Sequence, residues 1–190
     1  MSKERVNPVA EEPKFKWEVS RSSEYGVAIY LKKENGFKSI GEFSFSMRQM
    51  KKLDPEEFDY GLIVMPYPCP AEEYLKSLKS ESEEWAKKAA IALETKPSTV
   101  AYVSMWQIND EARGNLSVIR QMFKVALPEF RKYKVEYFVG HYVAQRGEGL
   151  TVAPYAEDMY KRLAAVTGGE VHADGNVWVS VEGLAKWLKM

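Results

Sequence analysis

Three short stretches of this 190-residue chain carry side chains whose types and spacing could do chemistry. The first is Ala156-Glu157-Asp158-Met159-Tyr160-Lys161-Arg162-Leu163, where a tyrosine adjoins a stripe of small and apolar residues at helical spacing. A phenol of ordinary pKa, about 10, can give up a proton or hold one in a hydrogen bond. The same residue type is also a common core occupant whose hydroxyl meets a backbone carbonyl. The second stretch is Asp110-Glu111, two carboxylates able to take a proton through water or to stand as solvated loop charges. The third, Arg113-Gly114-Asn115-Leu116, sets one cation and one glycine at a helix start. Backbone N–H groups there can meet an anion, though a plain turn before a helix uses the same residues.

Other chemistries lack their residues. His141 and His172 are the two histidines and Cys69 the one cysteine, with no metal-ligand spacing such as His-Glu-x-x-His, so metal catalysis is not expected. No Gly-x-Ser-x-Gly elbow occurs, and no serine sits at a strand-to-helix turn beside a histidine. His141 falls in an apolar strand and reads as a hydrogen-bonded core residue, and Trp106 likewise reads as core. A single cysteine excludes an intrachain disulfide.

Composition sets the frame for these residues. With 45% hydrophobic and 13% aromatic residues the chain can bury one full core. Lys plus Arg and Asp plus Glu both total 27, so no long-range field draws it to nucleic acid or to an anionic membrane, and neither partner is expected. No apolar run approaches the ~20 residues of a spanning helix, and the polar start precedes no apolar signal region; a cytoplasmic protein is the expectation.

The elements that must position the three stretches follow from periodicity. Residues 1–13 read as a flexible tail and 14–190 as a single domain, with a meander and long helix over 14–98 and an alternating half over 99–190. Phe15-Trp17-Val19, Val27-Ile29-Leu31 and Phe43-Phe45-Met47 alternate with polar residues as three antiparallel strands. Asn35-Gly36 turns between the last two, and a bulge is expected at Gly41. A capped turn at Asp54-Pro55-Glu56-Glu57 and a short apolar run over 61–65 precede one long helix from Ala71 to about Glu94. Residues 100–106 and 135–143 read as strands buried on both faces. Between them Asn115 caps a helix from Leu116 that Pro128 bends or ends. Arg146-Gly147-Glu148-Gly149 reads as a loop, Gly168-Gly169 closes the helix of Tyr160, and Asp174-Gly175 turns a terminal hairpin before a last turn of helix at 184–188.

The resulting order, strand, helix, strand, helix, hairpin over residues 99–181, resembles the C-terminal half of the GNAT superfamily of acyl-CoA-dependent N-acyltransferases. The register Ala156-x-x-Met159-Tyr160-Lys161-Arg162-Leu163 is similar to that family's Asn-x-x-Ala-x-x-Leu-Tyr-x-Lys-Leu-Gly-Phe, with Ala153 in the asparagine's place and a longer helix end. The resemblance implies a mixed α/β fold, with a mostly antiparallel central sheet flanked by helices and a GNAT-like C-terminal half after the N-terminal meander. It implies direct transfer of an acetyl or other acyl group from acetyl-CoA or another acyl-CoA to an amine on a small molecule or protein. In that reading Tyr160 is the acid toward the leaving thiolate, Asp110 or Glu111 the base through water, and Arg113, Gly114, Asn115 and Leu116 the pyrophosphate site. The family's Gln or Arg-x-x-Gly-x-Gly or Ala loop is not matched, since Asn109-Asp110-Glu111-Ala112-Arg113-Gly114-Asn115-Leu116 carries one glycine and two carboxylates. The alternative is a catalytically inactive protein on the same fold, similar to GNAT-like phage proteins, that binds a protein partner or assembles through Trp85, Tyr67 or Trp187.

Overall fold

Alternating apolar residues build the first three strands and direct one face of each toward a common core. In the computed structural model, which describes residues 15–33, 38–53, 62–110, 112–113, 115–141, 143–146, 149–152, 154–172 and 175–190, these strands are β1 (Phe15–Ser23), β2 (Gly26–Lys33) and β3 (Ser39–Lys52). They form the expected antiparallel meander. The pairing between β2 and β3 skips Ile40, so the irregularity falls beside Gly41 as anticipated. The tail, the Asn35-Gly36 turn, the Asp54–Glu57 turn, Glu111, Gly114, Gly147, Glu148, Ala153 and Asp174 lie outside the described residues.

β3 is the longest strand and organises the sheet. One of its edges carries β2 and then β4 (Leu62–Pro66), while the other pairs antiparallel with β5 (Ser98–Ile108) from Gly41 to Met50. Beyond β5 come β6 (Tyr137–His141), β10 (Asn176–Ser180) and β9 (Glu170–Val171), and only the β5–β6 pair is parallel. The eight strands make the mostly antiparallel mixed sheet expected from the sequence. Between β5 and β6 runs α3 (Leu116–Lys132), before β10 runs α4 (Pro154–Thr167), and α5 (Val181–Leu188) ends the chain, so the C-terminal half has the GNAT-like order.

Three elements differ from expectation. The long helix is two, α1 (Ala71–Glu81) and α2 (Glu83–Ala92), because Ser82 turns extended at φ −154° and its hydroxyl accepts from the Trp85 N–H at 3.2 Å. A serine cap before an acidic first turn stabilises a new helix start more than continuation would. Pro128 does not end α3, which continues to Lys132. Leu127 and Phe130, both fully buried, anchor that last turn and offset the hydrogen bond proline removes. Residues 137–141 of the expected strand form β6 and Val143 begins β7 (Val143–Arg146), with Tyr142 between them outside the described residues. β7 pairs with β8 (Gly149–Val152) in a separate sheet, so Arg146 and Gly149, expected in a loop, face each other across a ladder.

The main core lies between one sheet face and α3, α4 and α5. Phe43 sits at its centre, with ring centroids of Phe45, Trp106, Phe123 and Phe138 at 5.3, 5.4, 5.8 and 6.3 Å. The buried Trp17 indole donates to the Val118 carbonyl at 3.0 Å and ties β1 to α3. A second cluster packs α1 and α2 over Leu53, Ile63 and Met65.

Candidate functional site

The site is built where β5 and β6 part. Their parallel pairing covers three residue pairs, Val100–Tyr137 to Tyr102–Val139, and goes no further. The cause is visible on the opposite edge of β5. There Phe45 pairs with Val103 and Ser44 with Met105, so Ser104 is an extra residue, and its hydroxyl donates to the Ser44 carbonyl at 3.2 Å. A bulge of this kind bends its strand and raises the local twist, which carries β5 away from β6. Burial changes at the same point: residues 99–101 and 103 are buried, whereas Ser104, Met105 and Gln107 are exposed. Past Val103, the edge of β5 that faced β6 has no ladder partner among the described strands.

Tyr160 fills the base of this gap. α4 reaches across the sheet there, and the phenol ring lies against β6 at Gly140, where any side chain would run into the Tyr160 ring and hydroxyl. A glycine inside an apolar strand is the signal for such close backbone approach, and it was legible at position 140. The ring meets Trp106 edge-to-face at 5.3 Å, and Tyr160 is 4% exposed. Removal from water penalises the phenolate, with the nearby Tyr102 adding to it, so the hydroxyl titrates well above its ordinary 10. It is therefore neutral at ordinary pH. Gly168, at φ +68°, closes α4 in the left-handed conformation expected of it.

Beside the gap, a cleft of about 550 Å³ runs between the start of α3 and α4. Leu116 and Ile119 form one wall, Met159, Leu163 and Val166 the other, and Trp106 and Trp187 also line it. Asp158 and Arg162 are its charged groups. Arg120 borders the Trp187 end, with its guanidinium 4.9 Å above the indole ring and donating to the Trp187 carbonyl at 3.0 Å.

The residues expected to act fall out unevenly. Leu116 does line the cleft, and Asn115 does begin α3, where its side chain accepts from the Ser117 and Val118 N–H groups at 2.9 and 3.4 Å. That occupies two donors an anion would use. Arg113 is bound to Asp110 at 2.8 Å, so two residues given separate roles form one exposed ion pair. Glu111 and Gly114 lie outside the described residues. His141, expected in the core, is exposed at the last described residue of β6. Trp106 is half-buried as part of the cleft wall. Trp85, Tyr67 and Trp187, expected as exposed anchors, are all half-buried: Trp85 packs on the second cluster, and Tyr67 stands edge-to-face to Tyr25 at 5.4 Å. Gly140, Asp158 and Arg162 were missed as site residues. Among the described residues no cluster of His, Cys, Asp and Glu is placed to hold a metal ion, and no helix is long and apolar enough to cross a membrane.

No known family profile matches the chain, and no curated protein does. Among solved structures it is similar to AtaT complexed with acetyl-methionyl-tRNAfMet, at 11% identity and a TM-score of 0.46 over 87% of this chain and 76% of that one. A tyrosine-to-phenylalanine mutant of KacT is similar at 9% identity and 0.45, over 86% and 75%. A mutant AtaT toxin bound to the C-terminus of the antitoxin AtaR and acetyl-CoA is similar at 8% identity and 0.48, over 93% and 99%. The GNAT-like architecture is carried by the chain's own strand order, its parted strands and its helix placement.

Proposed function

We propose that the protein is an acyl-CoA-dependent N-acyltransferase that moves an acetyl or other acyl group directly to an amine on a small molecule or protein. One observation carries the reading: β5 and β6 part after three pairs, with Tyr160 against Gly140 at the gap and, between α3 and α4, an apolar cleft lined by the Trp106 that Tyr160 contacts. Direct transfer needs two substrates held in line, an acceptor for charge on the acyl oxygen, and a donor for the departing thiolate.

The apolar walls fit a long flexible arm, which Met159, Leu163 and Ile119 would flank. Arg162 on the cleft wall and Arg113 at its α3 end are the cations available to the donor's phosphates, Arg113 after release from Asp110. The acyl-CoA brings an activated thioester. Backbone N–H groups of β5 beyond Val103 that face the gap would hold the acyl oxygen. Tyr160 would serve the thiolate by donating a hydrogen bond rather than by surrendering its proton. A thiol titrates near 8.5, far below this buried phenol, so full transfer would run uphill by ~1.4 kcal/mol for each unit of difference. Asp110 or Glu111 remains the proposed proton acceptor through water.

Isothermal titration of acetyl-CoA into the full chain tests the reading. Micromolar binding is expected, and absence of heat at millimolar ligand overturns it. With a known acceptor, Tyr160→Phe should lower kcat and leave the affinity for acetyl-CoA unchanged.

A second reading, a non-catalytic protein on this fold that engages a protein partner, is favoured by the Asp110–Arg113 pair and by the Asn115 cap, which together occupy the anion-binding groups of the α3 start. It predicts no response to acetyl-CoA and a specific partner in a pull-down. A monomeric elution profile with nothing specific captured counts against it.

A further inference from the structure

The sheet face turned away from α3, α4 and α5 carries its own small cluster, Met50, Val100, Val139 and Trp178. At its rim, where β3 ends and β5 begins, opens a pocket of about 210 Å³. Lys51, Lys52 and Lys96 line it above Tyr137 and Trp178, and Ser98 completes its polar groups. The two rings stand 5.6 Å apart at 71°, and the Lys52 ammonium lies 4.6 Å from the Trp178 ring centroid and 5.8 Å from that of Tyr137.

Two features of this pocket point the same way. First, Trp178 is 1% exposed, yet its Nε1–H has no hydrogen-bond partner, alone among the buried side-chain polar atoms of the described residues. An indole N–H can only donate, and leaving one unpaired in the interior costs ~1–3 kcal/mol. Second, the surrounding acceptors are already engaged. Glu170 accepts from Lys52 and lies 3.3 Å from His172 Nε2. Glu136 accepts from the Ser98 hydroxyl at 3.1 Å and the Thr99 N–H at 3.4 Å, and the Thr95 hydroxyl accepts from Lys51. These bonds also engage Lys51 and Lys52, so what is left over is the remaining N–H donors of those two ammonium groups, Lys96 and the indole, with three lysines set against the carboxylates of Glu170 and Glu136 on an aromatic floor. The space of about 210 Å³ equals roughly seven waters at ~30 Å³ each, room for a phosphate or a short carboxylate.

We propose that this pocket binds a small oxyanion, a phosphate or a short carboxylate, held between the lysines on the Tyr137–Trp178 floor with the Trp178 Nε1–H donating to it. Charge-assisted hydrogen bonds from ammonium groups supply the attraction, and an oxyanion, unlike a single-centre halide, has several acceptor oxygens that can meet the lysines and the indole N–H together. The site shares no residue with the α3–α4 cleft, so acetyl-CoA binding can fail while this site stands.

The test uses the full chain labelled with ¹⁵N and the indole N–H resonances of its five tryptophans, with Trp178 assigned by its loss in Trp178→Phe. Inorganic phosphate and acetate are titrated separately, with chloride at matched ionic strength. The expected result is a saturable shift of the Trp178 indole in phosphate, in acetate or in both, and none in chloride. Preference for phosphate assigns the site to phosphate or its monoesters, and preference for acetate to carboxylates. Lys52→Gln should weaken the apparent affinity about tenfold, equivalent to ~1.4 kcal/mol. Lys96→Gln, at an exposed position, gives the same direction if the loss of Lys52 disturbs folding. No shift, a linear drift shared with chloride, or equal movement of all five indoles overturns the proposal.

Discussion

The two edges of β5 are held in opposite ways. Along one it pairs with β3 from Gly41 to Met50 without a break other than the bulge at Ser104, and Phe43, Phe45, Met47 and Met50 of that ladder are all buried. Along the other it pairs with β6 over three residues and then departs. A continuous antiparallel ladder satisfies every backbone group and leaves nothing for a ligand, whereas parted strands expose backbone groups that something else must satisfy. One strand thus joins a rigid platform to a site, and the single extra residue at Ser104 separates the two behaviours.

Mutation can break that contrast from either side. On the platform side, Phe43→Ala removes the ring on which four other aromatic residues converge and should cost about 3–5 kcal/mol, read as a lowered denaturation midpoint. On the site side, Gly140→Val forces Tyr160 out of the gap, and overpacking of this kind costs about 1–3 kcal/mol. Its loss of acyl transfer should exceed what the lowered stability explains, while Phe43→Ala should lose activity only as it unfolds. If the two variants lose activity in step with stability, the gap is not the site.

A pH titration sharpens the contrast through Tyr160. Its folded pKa is raised above the ordinary 10, so the unfolded chain releases this proton first. The contribution is fully present below about pH 10 and falls away above it, by up to ~1.4 kcal/mol per pH unit. Tyr160→Phe should flatten that alkaline decline, measured as the difference in unfolding free energy between pH 9 and pH 11. Identical alkaline limbs would mean that the phenol is solvated. The smallest effect belongs to Asn115→Ala, which removes the α3 cap and should cost ~1 kcal/mol by chemical denaturation. If the α3 start is the anion site proposed above, the same change should alter acetyl-CoA affinity as well.

Much of this contrast was legible from residue patterns, and what was not has physical causes. Period-two alternation in β1, β2 and β3 reports burial of one face and is local, so the meander could be read directly. The cap at Asn115 and the glycine that closes α4 at Gly168 are local signals too, and the structure has both. The break at Ser82 was local but competed with an apolar pattern that ran through it. Pro128 shows the reverse case: a strong local signal was overridden because Leu127 and Phe130 belong to the core. The parting of β5 from β6 after three pairs could not be read, since nothing in either apolar stretch marks where the two stop accompanying each other.

For the candidate site the division is sharper. Sequence alone determined that Tyr160 sits on a helix between a strand and a hairpin, and that a capped helix begins at Leu116, because helical spacing and capping act within a few residues. Only the tertiary structure decided that Tyr160 is buried against Gly140, that Asp110 closes on Arg113, and that Asp158 and Arg162 face the cleft. It alone set Lys52 and Trp178, 126 positions apart in the chain, on one floor. The burial of Tyr160 against Gly140 depends on where β5 and β6 diverge, and the Lys52–Trp178 floor on the strand order β3, β5, β6, β10. Both are properties of strands in register rather than of any one strand, and register is settled only when the sheet is assembled.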